Sequence, residues 1–90
     1  MKREEVTIVN PTGLHARPAS VFVKEANKYK SEIVIISGEK RINGKSIVKL
    51  MSTALKKGTI IAIEATGEDE ETAASALADL VRGGFGEIDG

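Results

Sequence analysis

The residues able to do chemistry are few, and the most informative of them stand together as Gly13-Leu14-His15-Ala16-Arg17-Pro18-Ala19. His15 is the one histidine in a chain of 90 residues that has no cysteine. Pro18 suits the first turn of a helix, where its missing N–H costs nothing. His15 therefore stands immediately before a helix start. Such an end presents unpaired N–H donors and partial positive charge, which makes it a ready anion site. Arg17 can fold back onto phosphate oxygens. Gly13 lets the backbone turn sharply ahead of the helix. A nucleophilic imidazole beside a phosphate cradle describes a phosphoryl acceptor, because positioning and charge neutralisation are what phosphoryl transfer chiefly requires of a protein.

On spacing alone a plainer reading stands beside this one, in which His15 is a helix cap and Arg17 a solvated surface residue. Metal binding is the poorer alternative, since no second His and no Cys is available and no spacing of Asp or Glu suggests a site. The absence of Cys also excludes disulfides and thiol nucleophiles. No metal or cofactor is expected.

A second group lies further along. Ser46 is placed to cap a short helix, and Ile47, Val48 and Met51 crowd its first turn with more apolar groups than one buried face needs. Part of that excess reads as core, and a remainder beside His15 reads as a docking patch. Met suits such a patch because it adapts to several partners. Lys24, Lys45 and Lys49 are either steering charges for acidic partners or plain solvated ones.

These residues need a frame, and the pattern supplies one. Residues 5–9 alternate as a strand with Val6 and Ile8 inward. Asn10-Pro11-Thr12-Gly13 is a turn cluster. From Arg17 to Tyr29, Pro18, Phe22, Ala26 and Tyr29, with Ala19 and Val23 beside them, make one apolar helical stripe. Residues 32–37 and 40–43 read as strands, the second a charged sheet edge. Ile47, Leu50, Met51 and Leu55 have helical spacing behind Ser46, and Lys57-Gly58 ends that helix. Residues 59–66 form a strand with Ile61, Ile63 and Ala65 inward. Asp69 is placed to cap a last helix with Glu70 and Glu71 in its first turn. Ala73, Leu77, Leu80 and Val81 form its inner stripe, and Gly83-Gly84 stops it. The order β-α-β-β-α-β-α predicts an α+β open-faced β-sandwich: a four-stranded antiparallel sheet covered on one face by three helices. Residues 1–85 are expected to form the domain and 86–90 a flexible tail.

Composition narrows the function. Thirteen Lys and Arg balance thirteen Asp and Glu, and there are only three aromatic residues, Phe22, Tyr29 and Phe85. A general nucleic-acid binder is normally basic and uses aromatics to stack bases, so no nucleic acid is expected. No apolar run reaches the ~18 residues of a membrane span, and the N-terminal residues enter a strand pattern without a signal peptide. The expectation is one cytoplasmic domain, monomeric and not inserted in a membrane.

Thr12-Gly13-Leu14-His15-Ala16-Arg17-Pro18-Ala19 resembles the active-site signature of the HPr family, the histidine-containing phosphocarriers of the bacterial phosphoenolpyruvate:sugar phosphotransferase system. Lys45-Ser46-Ile47 followed by Met51 is similar to that family's second signature, around a regulatory serine. Gly67-Glu68-Asp69-Glu70 before an Ala-rich helix is similar to the start of its third helix. The likeness spans about residues 1–85, with the blocks at the family's spacings. Ala16, Ile47 and Met51 are of Gram-positive type, whereas Lys49-Leu50 is closer to the enteric type.

The resemblance implies a carrier, not an enzyme that releases a product. His15 would accept a phosphoryl group on Nδ1 from phospho-enzyme I and pass it to IIA units of sugar permeases. Arg17 and the backbone amide of Ala16 would stabilise the group. Ser46 would be a regulatory phosphorylation site for an HPr kinase/phosphorylase, linked to a catabolite control repressor and so to carbon catabolite regulation. Ile47, Val48 and Met51 would meet the partners. The fold implied is the same open-faced sandwich. The alternative is an HPr paralogue of a nitrogen-regulatory or dedicated kinase pathway, which would keep His15. Catabolite-repression relatives without the histidine are disfavoured because His15 is present, and a small structural or nucleic-acid module is disfavoured by charge and aromatic content.

Overall fold

Apolar residues recurring at every second position drive the two central strands. Ile33 and Ile35 of β2 (Glu32–Ser37) and Ile61, Ile63 and Ala65 of β4 (Ile60–Thr66) all turn inward and are buried. The structure, a computed structural model, describes residues 1–53 and 55–86. β1 (Lys2–Thr7) and β3 (Lys40–Asn43) flank the central pair in the order β1-β4-β2-β3, every pairing antiparallel. α1 (Ala16–Ala26), α2 (Ile47–Ser52) and α3 (Glu70–Arg82) complete the β-α-β-β-α-β-α order. This is the expected open-faced sandwich, with the helices on one face. Phe22, Leu14, Leu50, Leu77 and Val81 meet the inward isoleucines in one core. Each such side chain contributes roughly 1.5–3 kcal/mol of burial.

Element bounds and burial differ from expectation at several points, among them the end of β1 at Thr7 and the start of β4 at Ile60. β1 begins at Lys2 and not at residue 5, because polar Lys2–Glu5 pair with β4 at the sheet edge. Arg3 there bonds Glu64 across the strands at 2.8 Å. α1 ends at Ala26 with Asn27 as its C-cap, and Tyr29 packs against the core from beyond the helix. α2 stops at Ser52, short of Leu55: the Ser52 and Thr53 hydroxyls donate back to the Lys49 and Leu50 carbonyls at 3.0 and 2.8 Å, competing with further helical bonds. Leu80 is only half-buried, and Ala74 and Ala78 join Ala73, Leu77 and Val81 on the inner face of α3.

Asp69 stands at the N-cap of α3, yet its side chain makes no capping bond. Its carboxylate instead accepts from the Ser31 hydroxyl, from the Ser31 N–H at 3.0 Å and from the Lys30 N–H at 2.8 Å. Those donors, Ser31 first, hold the carboxyl below its ordinary range. After α3, Gly84–Gly86 form one short turn that presses Phe85 against the core. The flexible tail expected over 86–90 lies, apart from Gly86, outside the described residues.

Candidate functional site at the start of α1

The chain reaches His15 through a tightly tied loop. Ile8 is bonded both ways to the segment before β4, its N–H to Thr59 at 2.9 Å and its carbonyl from Gly58 at 2.7 Å. Gly13 then turns the chain at a φ of +64°, and a Cβ there would sit 2.3 Å from the Leu55 carbonyl oxygen. Only glycine fits that conformation at that approach. The Leu14 N–H donates to the same Leu55 carbonyl at 2.8 Å, and the Leu14 side chain is buried. Asn10 is also buried and donates from Nδ2 to the Gly13 carbonyl at 2.8 Å.

His15 is the N-cap residue of α1, in extended backbone, and its side chain makes no capping bond. The plain capping role is therefore not the one its imidazole plays. His15, Ala16 and Arg17 are all exposed. The first intrahelical bond runs from the Ala19 N–H to the His15 carbonyl at 2.9 Å. Pro18 has no N–H. The Ala16 and Arg17 amides thus remain without a partner among the described residues, at the positive end of an 11-residue helix. Arg17 forms no ion pair among the described residues either, whereas Arg3, Arg41 and Arg82 all do. The two amides and the guanidinium belong to the two residues that follow the exposed His15 in the chain.

A shallow hollow beside the imidazole is lined by Thr12, Leu14, His15, Met51, Leu55 and Lys56. It brings Met51 of α2 next to His15. Ile47 and Val48 do not line it, but they are exposed on the same helix, Val48 most of all at 74%. Leu50 is the one buried residue of α2. Ser46 caps that helix, its hydroxyl accepting from the Lys49 N–H at 3.3 Å, and it stands outside the hollow. Lys45 differs from the expectation of a free surface charge: its ammonium donates to the Tyr29 carbonyl at 2.7 Å and ties α2's approach to the end of α1.

Lys56 is a cation at this hollow that sequence reasoning did not single out. It is brought there by the Leu14–Leu55 backbone bond, which leaves no mark in local spacing. Among the described residues, no group of three or more His, Cys, Asp or Glu could hold a metal ion, and no helix is long and apolar enough to cross a membrane.

A family model described as the PTS HPr component phosphorylation site matches residues 2–83. The chain belongs to the HPr family of phosphocarrier proteins. Among its relatives, the phosphocarrier protein HPr of Neisseria meningitidis serogroup A is 45% identical over 97% of this chain and 98% of its own length. The HPr of Borreliella burgdorferi is 49% identical over 90% and 94%. The solved HPr of Thermoanaerobacter tengcongensis superposes with a TM-score of 0.93 at 45% identity, covering 97% of this chain and 98% of that one. These relatives are by name phosphocarrier proteins.

Proposed function

We propose that this HPr-family chain carries a phosphoryl group on His15, taking it from phospho-enzyme I and passing it to IIA units of sugar permeases. The Nδ1 lone pair attacks phosphorus, the N–P bond forms as the bond to the donor breaks, and the reverse exchange delivers the group onward. The Ala16 and Arg17 amides and the Arg17 guanidinium take up the phosphoryl charge. One observation carries this reading: His15 is the N-cap of α1 but leaves its ring and the two following amides unengaged. An exposed site with one Arg and two amides neutralises the group without gripping it, as a carrier that must release it requires. His15, Ala16 and Arg17 come from one chain, so a cytoplasmic monomer suffices, with residues 1–85 as the working domain.

Met51, Ile47 and Val48 form the docking patch, with Lys24, Lys49 and Lys56 as exposed cations for acidic partner surfaces. Ser46 is the regulatory phosphorylation site, addressed by an HPr kinase/phosphorylase and read by a catabolite control repressor. A phosphate at a helix N-cap is compatible with the helix, so modification there adds charge beside the patch without unfolding α2.

The test is intact mass after incubation with phosphoenolpyruvate and enzyme I. The expected result is one acid-labile, alkali-stable phosphoryl group, absent from His15→Ala. No mass gain, with circular dichroism intact and the enzyme I active on a control HPr, would overturn the sugar-transport reading. The next donor to try would then be a dedicated enzyme I paralogue.

A further inference from the structure

Two polar side chains are buried among the described residues, Asn10 and Ser31. A buried polar group is costly unless its bonds are made. Ser31 is accounted for by Asp69. Asn10 has a different setting, and we propose that it is a positioning residue for the phosphoryl acceptor, an inference that rests on the phosphocarrier reading of His15.

The geometry is specific. The Asn10 amide donates to the Gly13 carbonyl at 2.8 Å and to the Thr12 hydroxyl at 3.3 Å. The Gly13 carbonyl and the Leu14 N–H belong to one planar peptide unit. That unit is held at both ends: its oxygen by Asn10, and its N–H by the Leu55 carbonyl at 2.8 Å. Beyond it comes Leu14, whose buried side chain fixes the next link, and then His15. The peptide plane two links from the acceptor therefore cannot rotate without breaking two interior bonds. The same amide draws in Thr12, which lines the hollow beside the imidazole.

This is not the usual role of Asn in a turn, where the side-chain oxygen accepts from a backbone N–H further on. Here the side chain donates to a carbonyl. A carboxylate at this position has no proton to give. The bonds of the Asn10 amide reach Gly13 and Thr12 and not His15 itself, so it is argued to act through the loop. Displacing a reacting group by about 1 Å costs on the order of a hundred-fold in rate, and a loosened loop should show part of that.

The experiment compares Asn10→Ala with Ser31→Ala, which also removes a buried polar side chain but at the other end of α1. Transfer onto His15 from enzyme I and phosphoenolpyruvate is measured where circular dichroism shows both variants folded. Asn10→Ala should lower kcat by about ten-fold and leave KM for the donor protein unchanged. The backbone amide resonances of Leu14 to Arg17 should move. Ser31→Ala should keep the wild-type rate and those resonances. In the wild type, the Asn10 side-chain amide protons should exchange slowly with water, a measurement that needs no variant. Should Asn10→Ala not fold, Asn10→Ser is too short to reach Gly13 and is read the same way. A wild-type rate in the Asn10 variant, an equal fall in both variants, or fast exchange of the Asn10 amide would each overturn the proposal. Failure of the wild type itself to accept the group would overturn the carrier reading instead, and slow exchange with the moved resonances would still register the clamp.

Discussion

The starts of α1 and α2 make an instructive pair. Both helices begin from a residue in extended backbone, His15 with φ −84° and ψ −167°, Ser46 with φ −117° and ψ 111°. At α2 the Ser46 hydroxyl accepts from the Lys49 N–H, and the end is closed by its own cap. At α1 the His15 side chain makes no capping bond, Pro18 has no N–H to satisfy, and the Ala16 and Arg17 amides have no partner among the described residues. A missing cap costs about 1 kcal/mol. The burial of Leu14, Pro18, Ala19 and Phe22 around the start of α1 more than offsets that. The difference teaches how a helix end can stay open: stability there is supplied by the apolar residues, and the polar groups are left without a bond among the described residues.

The sharpest way to break this contrast is to close the open end. His15→Ala should abolish phosphoryl acceptance by intact mass, yet change stability by no more than about 0.5 kcal/mol, because the exposed ring makes no capping bond. His15→Asp should go further, raising stability by about 1 kcal/mol through a genuine cap while acceptance stays at zero. A loss of stability in His15→Asp would mean the end is not open as described. The largest effect on stability alone belongs to Gly13→Ala. The positive φ and the clash with the Leu55 carbonyl should cost about 2–4 kcal/mol in chemical denaturation, and a loss under 1 kcal/mol would show that the loop is not pinned to the segment before β4.

The same contrast marks what could be read from the residues alone. β2 and β4 were legible because Ile33 and Ile35, and Ile61, Ile63 and Ala65, recur with a period of two. The start of α1 was legible because Pro18 and Gly13 each have one good place near a helix start. The end of α2 was not, because Leu55 keeps helical spacing after the Ser52 and Thr53 hydroxyls have ended the helix. β1 was misjudged at its start because an edge strand needs no apolar alternation to pair. At the candidate site, local spacing drew notice to His15 and Arg17 but left a plain cap open beside an acceptor, and their roles came from the family resemblance, whereas Lys56 comes from a distant segment. Asn10 was read only as part of a turn, since residue type does not tell whether a turn residue is buried. Lys45 could not be told from its neighbours, because its partner is a backbone carbonyl.

A smaller effect sharpens the comparison from the closed side. Ser46→Ala should lose about 1 kcal/mol with the cap. Ser46→Asp should keep that stability, since a carboxylate caps equally well, and should slow transfer from enzyme I by adding charge beside Ile47, Val48 and Met51. If Ser46→Asp transfers at the wild-type rate, the patch and Ser46 are not coupled by charge, and the regulatory proposal loses its physical basis.

The third helix supplies the finest test, because its N-cap residue is spent elsewhere. Asp69 clamps Lys30 and Ser31 and not the start of α3. The Ser31 hydroxyl and then the Lys30 N–H lower its folded pKa. A lowered folded value means the clamp contributes stability above the ordinary Asp range, and that contribution is lost as pH falls through the folded value. The stability difference between wild type and Asp69→Asn should therefore be full at neutral pH and shrink in acid. Glu70 titrates in the same sense, held down first by the N-terminal ammonium and then by the Gly67 N–H, so the difference curve against Asp69→Asn, and not the wild-type acid limb alone, isolates the clamp. Phosphoryl acceptance at neutral pH should be unchanged in Asp69→Asn, since nothing it holds touches the start of α1. A difference that stays constant into acid would mean that the Asp69 carboxylate stabilises the fold by shape and not by charge.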